Sequence, residues 1–194
     1  MLLEKLKNYD IILGSASPRR KKILSDLGIK FKIHVSQAKE SYPKSFNKAE
    51  IAKFLAKQKA KFILKKLSGN YLLITVDTIV LQNNKILHKP IDKNDAKKIL
   101  ISLSNKKHKV ISGVCIKSNQ KEVIFSSTTD VHFNKISNEE IDYYIKKYKP
   151  FDKAGSYAIQ EWIGDIGVKK IIGSYNNVVG LPSAQLYQKL KLFI

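Results

Sequence analysis

A mixed α/β fold, with a twisted sheet flanked by helices, is what the sequence predicts, and three observations carry it. Strand-like and helix-like segments alternate through the first half of the chain. Helical segments open on cap signals such as Ser17-Pro18 and Ser137 with Glu140. Two long strand patterns then follow one another across a short polar turn, so part of the sheet pairs locally.

The elements follow in order. Residues 9–14 read as a buried strand. Ser17 is the expected N-cap and Pro18 the first helical residue, because proline's fixed φ suits that position and its missing N–H is not needed there. Leu24 and Leu27 fall on the inner face, and Gly28 stops the helix. Residues 31–35 alternate apolar and polar, the period of a strand. A polar loop runs through 40–45. Asn47 with Glu50 forms a capping box for a helix to Leu67, with Ile51, Phe54, Leu55, Phe62 and Ile63 on one side. Ser68-Gly69-Asn70 ends it.

Residues 71–81 form a strongly apolar strand interrupted by Asp77 and Thr78, and Asn83-Asn84 is a turn signal. Asp92 with Asp95 starts a helix to Leu103. Residues 107–117 and 122–133 read as strands joined by Ser118-Asn119-Gln120. Ser137 with Glu140 caps a helix that Pro150 terminates after Tyr148. Residues 151–165 read as irregular, 168–172 as a short strand and 176–180 as loop. Pro182 opens a C-terminal helix. There are no internal repeats, low-complexity tracts or linkers, so residues 1–194 are expected to form a single domain.

Composition narrows the class. The chain has 194 residues and a 43% hydrophobic fraction, enough for a sizeable core. Its start has no apolar run of signal-peptide length, and no segment approaches the ~20 apolar residues of a membrane helix. The single cysteine, Cys115, cannot form an intramolecular disulfide, so a reducing, cytoplasmic setting is expected. The formal net charge is +20, which invites a nucleic-acid reading. Yet 34 of the 36 basic residues are Lys, scattered without a basic block. Phosphate-backbone readers use more Arg and cluster their charge. Compositional drift explains the balance better, and nucleic acid is not the expected partner.

Arg19 and Arg20 are the only two arginines. They sit in Ser15-Ala16-Ser17-Pro18-Arg19-Arg20, where a small-residue turn meets a helix N-terminus. Backbone N–H groups, the helix dipole and planar guanidinium forks together make an anion cradle. Asp77, inside an apolar strand, carries a desolvation cost unless it is paired or bound. Lys59, Lys89 and Glu40 are weak signals taken singly, since a solvated charge is their default. The small-residue loop 152–160 bears Gln160, whose carboxamide could read a base edge. His34, His88, His108 and His132 lack metal-ligand spacing. No Ser-His-Asp, Walker or dinucleotide-binding motif is present.

Taken together these segments resemble the Maf family of nucleotide pyrophosphatases. The matches are Leu13-Gly14-Ser15-Ala16-Ser17-Pro18-Arg19-Arg20, 35–40, 56–60, Val76-Asp77-Thr78, Lys89-Pro90, Leu103-Ser104 followed by His108, 152–160, and Gly173-Ser174-Tyr175 through Gly180-Leu181-Pro182. Their order is the family's, and they span nearly the whole chain. The resemblance implies two lobes around a substrate cleft. It implies that Asp77 is the proton acceptor and that Ser15, Arg20, Glu40, Lys59 and Lys89 are active-site residues. Arg19, Thr78 and Gln160 match positions tied to substrate choice. Tyr157-Ala158-Ile159-Gln160 looks like the subgroup acting on dTTP and UTP.

The sequence departs from the family pattern at Val76, His88, Asn105, Ala158 and Glu161-Trp162. No departure removes a candidate side chain, but they bear on nucleotide preference. The implied reaction converts a nucleoside triphosphate to the monophosphate and pyrophosphate, by water attack on the α-phosphorus. Glu40 and Asp77 would hold a divalent cation, Mg²⁺ or Mn²⁺, that neutralises charge and lowers the pKa of a bound water. Arg20, Lys59 and Lys89 would hold the phosphates. Two alternatives stay open: a 7-methyl-GTP pyrophosphatase, and a non-catalytic nucleic-acid-binding regulator of septation, a process to which the family is linked. The sequence is compatible with a homodimer and does not fix the oligomeric state.

Overall fold

The structure is a computed structural model and describes residues 1–37, 41–43 and 45–194. Among these are seven strands in one mixed sheet: β1 (Asp10–Leu13), β2 (Lys32–Ile33), β3 (Tyr71–Gln82), β4 (Lys85–Leu87), β5 (Lys107–Lys117), β6 (Glu122–Phe133) and β7 (Val168–Ile172). The order is β2-β1-β3-β5-β6-β7, with β4 paired to β3 off this path. β1 runs parallel to β2 and β3, whereas β4 and β7 are antiparallel to their neighbours. The helices are α1 (Leu2–Leu6), α2 (Pro18–Asp26), α3 (Lys48–Leu64), α4 (Lys93–Leu103), α5 (Asn138–Tyr148), α6 (Trp162–Gly167), α7 (Tyr175–Val179) and α8 (Ser183–Phe193).

The chain divides into two compact units. The first comprises residues 1–77, 112–127 and 180–194; the second comprises 78–111 and 128–179. In the first, Ile12, Ala56, Ala60, Ile63, Leu73 and Cys115 form a buried cluster between sheet and α3. α3 lies so close to β5 that a Cβ at Gly113 would overlap the backbone of Ala52, so only glycine fits there. Burial pushes the Cys115 thiol up to about 12, so it stays protonated. In the second unit, Leu100, Leu103, Val131, Ile141, Tyr144 and Ile163 centre a core that packs α4, α5 and α6 on the sheet.

The caps form as the sequence predicts. Ser17 Oγ accepts from Arg20 N–H, and Asp92 accepts from Asp95 N–H at 2.8 Å. Both capping boxes, Asn47 with Glu50 and Ser137 with Glu140, have both of their hydrogen bonds. The limits of β5, β6 and β7 match the expected spans. Several elements differ. The strand expected over 31–35 shrinks to β2, two exposed residues on a sheet edge. Asn83 and Asn84 both take left-handed φ (47° and 62°), and the chain returns at once as β4, a strand that three residues are too few to announce. The spans expected as irregular and loop are overlapped by α6 and α7, and α1 precedes the first strand. All three are short, and tertiary packing rather than propensity holds them: Leu2 and Leu6 of α1 are both buried, as are Ile163 of α6 and Asn177 of α7.

Candidate active site

In the first unit the site is built by the packing of α3 on β3. Thr75 Oγ1 donates to the Ala56 carbonyl at 2.7 Å, both groups being buried. Asp77 lies two residues beyond Thr75, on the same face of the strand. Lys59 lies three residues beyond Ala56, on the same side of the helix. The Thr75 bond therefore fixes the register that sets Lys59 against Asp77, and Lys59 Nζ donates to Asp77 Oδ1 at 2.5 Å. The side chains are 16% and 9% exposed, so the pair is shielded from solvent and from salt. A carboxylate in an apolar strand is thus paired, as its desolvation cost requires.

Arg20 organises the segment beside it. Its Nε donates to the Gly180 carbonyl at 2.9 Å, and its Nη1 donates to Ser15 Oγ and to the Val76 carbonyl, both at 3.1 Å. Ser15 Oγ also accepts from Ser17 N–H at 3.3 Å. One guanidinium therefore joins the turn after β1, the strand residue before Asp77 and the start of the C-terminal segment. A lysine has no fork with which to do this. The structure brings Ser15 and Arg20 together, brings Lys59 and Asp77 together, and links the two pairs through Val76. Arg19 is half-buried on the first turn of α2. Glu40 lies outside the described residues.

Thr78, Lys89 and Gln160 belong to the second unit. Lys89 is exposed and follows His88, whose carbonyl accepts from Gly155 N–H at 3.3 Å. That bond joins the Lys89-Pro90 segment to the loop 152–160. Gly155 has φ +72°, and a Cβ there would sit 3.0 Å from Val80, so the loop needs glycine at this point. Gln160 is exposed. Tyr157, three residues earlier, is buried, its hydroxyl 2.6 Å from His108 Nε2. Burial, chiefly, and nearby His132 lower the His108 pKa to about 4, against a smaller opposing effect of Asp130. Sequence reasoning missed the anchors of this loop: Lys153 is buried, and Tyr144 and Glu161 join it. A lysine in a polar loop and a tyrosine inside a helix give no local sign of such roles.

No group of three or more His, Cys, Asp or Glu able to hold a metal lies among the described residues. Asp77 offers a carboxylate oxygen at the site. Mg²⁺ keeps several waters and is commonly bound by one or two carboxylates together with substrate phosphates. The Asp77 carboxylate fits a cation bound in that way.

The comparisons with known proteins agree with the sequence motifs. The Maf-like protein family model matches residues 10–193. The chain belongs to the Maf family. Among relatives of this Maf protein is one named dTTP/UTP pyrophosphatase from Christiangramia forsetii, 49% identical over 191 residues, covering 98% of this chain and 97% of that one. Another of the same name, from Parabacteroides distasonis, is 49% identical and covers 99% of this chain and 100% of its own. A third, from Flavobacterium johnsoniae, is 46% identical with both chains covered in full. A solved nucleoside-triphosphatase (dITP/XTP pyrophosphatase) from Mycobacterium abscessus is 12% identical, with TM-score 0.39 over 66% of this Maf chain and 75% of that one, too low a likeness to carry a conclusion. No helix among the described residues is long and apolar enough to cross a membrane.

Proposed function

We propose that this Maf protein hydrolyses dTTP and UTP to the monophosphate and pyrophosphate, with residues 1–194 acting as one catalytic domain in the cytoplasm. The observation that carries the chemistry is the shielded Lys59–Asp77 pair, held in register by Thr75 and flanked by Arg20. The substrate class rests on the names of the near-full-length relatives.

Asp77 accepts a proton from the water that attacks the α-phosphorus, and pyrophosphate leaves. Lys59 aligns the carboxylate and stabilises charge that grows on the phosphate oxygens. Lys89 and Ser15 bind phosphate oxygens. Arg20, already committed to Ser15, Val76 and Gly180, preorganises these groups and adds positive charge. Asp77, with Glu40, would hold Mg²⁺ or Mn²⁺, which supplies charge neutralisation and a more acidic water when bound. Gln160 reads the base. The thymine and uracil edge alternates carbonyl acceptors with an N–H donor, and a carboxamide meets both, whereas a carboxylate only accepts. Arg19 and Thr78 assist in substrate choice. Pyrophosphate release from dTTP and UTP, measured against 7-methyl-GTP and ATP, tests this reading.

A further inference from the structure

Gln160 rides on a turn whose geometry is set elsewhere in the second unit. Glu161 N–H donates to the Ala158 carbonyl at 3.1 Å, which closes the turn Ala158-Ile159-Gln160-Glu161 with Gln160 at its third position. A single phenol holds both ends. Ala158 N–H donates to Tyr144 Oη at 3.2 Å, and the Tyr144 hydroxyl donates to Glu161 Oε2. Lys153 Nζ then lies 3.4 Å from Glu161 Oε1 and 2.7 Å from Asp152 Oδ1. Tyr144 is wholly buried, and Lys153 is only 7% exposed. Burial first, and the bond to Glu161 second, raise the Tyr144 pKa, so the hydroxyl keeps the proton it donates.

The ring and the hydroxyl of Tyr144 have separable roles. The ring stacks on Tyr148, centroids 5.0 Å apart, within the core. Core packing therefore needs the ring alone. The hydroxyl serves the turn, as does the Glu161 carboxylate, at a position where the sequence departs from the family pattern and a glycine would offer no acceptor.

We infer that Tyr144, acting with Glu161, is a positioning residue for substrate choice: its hydroxyl clamps the turn that presents Gln160 to the base. The inference rests on the reading of Gln160 given above. Loosening the turn lets the carboxamide wander from the base edge, and selectivity depends on that alignment.

The experiment measures kcat and KM for dTTP, UTP and GTP in the wild type, Tyr144→Phe, Glu161→Ala, Gln160→Ala and the double variant Tyr144→Phe/Gln160→Ala. Tyr144→Phe is expected to lower the pyrimidine-to-purine ratio of kcat/KM by about tenfold, chiefly through KM. Glu161→Ala moves it the same way and carries the test if circular dichroism shows that Tyr144→Phe does not fold. In the Gln160→Ala background the hydroxyl's loss produces no further fall in the ratio, because the group it positions is gone. A purely structural hydroxyl would lower the ratio equally in both backgrounds or not at all, and either result overturns the inference. A wild type without pyrimidine preference overturns the reading of Gln160 and the inference with it. A selective wild type whose ratio survives both Tyr144→Phe and Glu161→Ala overturns the inference alone.

Discussion

Lys59 Nζ donates to Asp77 Oδ1 across 2.5 Å, in a contact that neither residue's own segment could produce. The helix brings the cation, the strand brings the carboxylate, and the buried Thr75–Ala56 hydrogen bond sets their register. The pair orients a carboxylate on a strand whose adjoining residues Val76 and Ile79 are both buried.

Asp77→Asn keeps the shape of that side chain and removes its charge. Loss of general-base function alone costs about 10²–10⁴ in rate. Steady-state pyrophosphate release should show this fall in kcat while circular dichroism stays native. Near-normal turnover in a folded Asp77→Asn protein would remove Asp77 from the mechanism.

Arg20→Lys keeps the charge and loses the fork. A lysine cannot donate at once to Gly180, Ser15 and Val76, so at least one charge-assisted hydrogen bond is lost, at roughly 2 kcal/mol. Urea unfolding should report that loss as a lower midpoint with unchanged slope. kcat/KM falls as well, because Ser15 and the strand before Asp77 lose their common anchor. An Arg20→Lys protein with wild-type midpoint and activity would contradict the organising role.

Much of this was legible from the chain alone, and the boundary is physical. The capping boxes of Asn47 and Ser137, the Asn83-Asn84 turn and the spans of β5 and β6 depend on residues within a few positions of one another. Asp77 showed itself because a carboxylate in an apolar strand needs a reason, and Arg20 because arginine is otherwise nearly absent. Two of the three partners of Arg20 named above were not legible: they are backbone carbonyls 56 and 160 residues away, and a carbonyl has no residue-type signature. For the same reason α1, α6 and α7 escaped notice, since burial against distant residues makes them helices. The Tyr144–Glu161 clamp joins a helix face to a loop 17 residues on, a pairing no local pattern encodes.

His108 makes folding sensitive to pH. Its pKa is about 4 in the folded protein against an ordinary 6.5. Between those values the unfolded chain binds more protons, so stability is fully present above the unfolded value and falls as pH drops toward 4. The loss amounts to roughly 3 kcal/mol once both values are passed. Urea midpoints taken from neutral pH down through this window should fall for the wild type and fall less for His108→Gln. Equal slopes for the two proteins would contradict the assignment.

Pyrophosphate release from purified protein with Mg²⁺ or Mn²⁺ reads out the proposed catalysis itself. The panel is dTTP, UTP, ATP and 7-methyl-GTP, with binding to duplex DNA followed across salt concentrations in parallel. The expected result is metal-dependent release of pyrophosphate, with kcat/KM highest for dTTP and UTP. More efficient release from 7-methyl-GTP or ATP would contradict the substrate assignment. Tight, steeply salt-dependent DNA binding with no release from any nucleotide would contradict the enzyme itself.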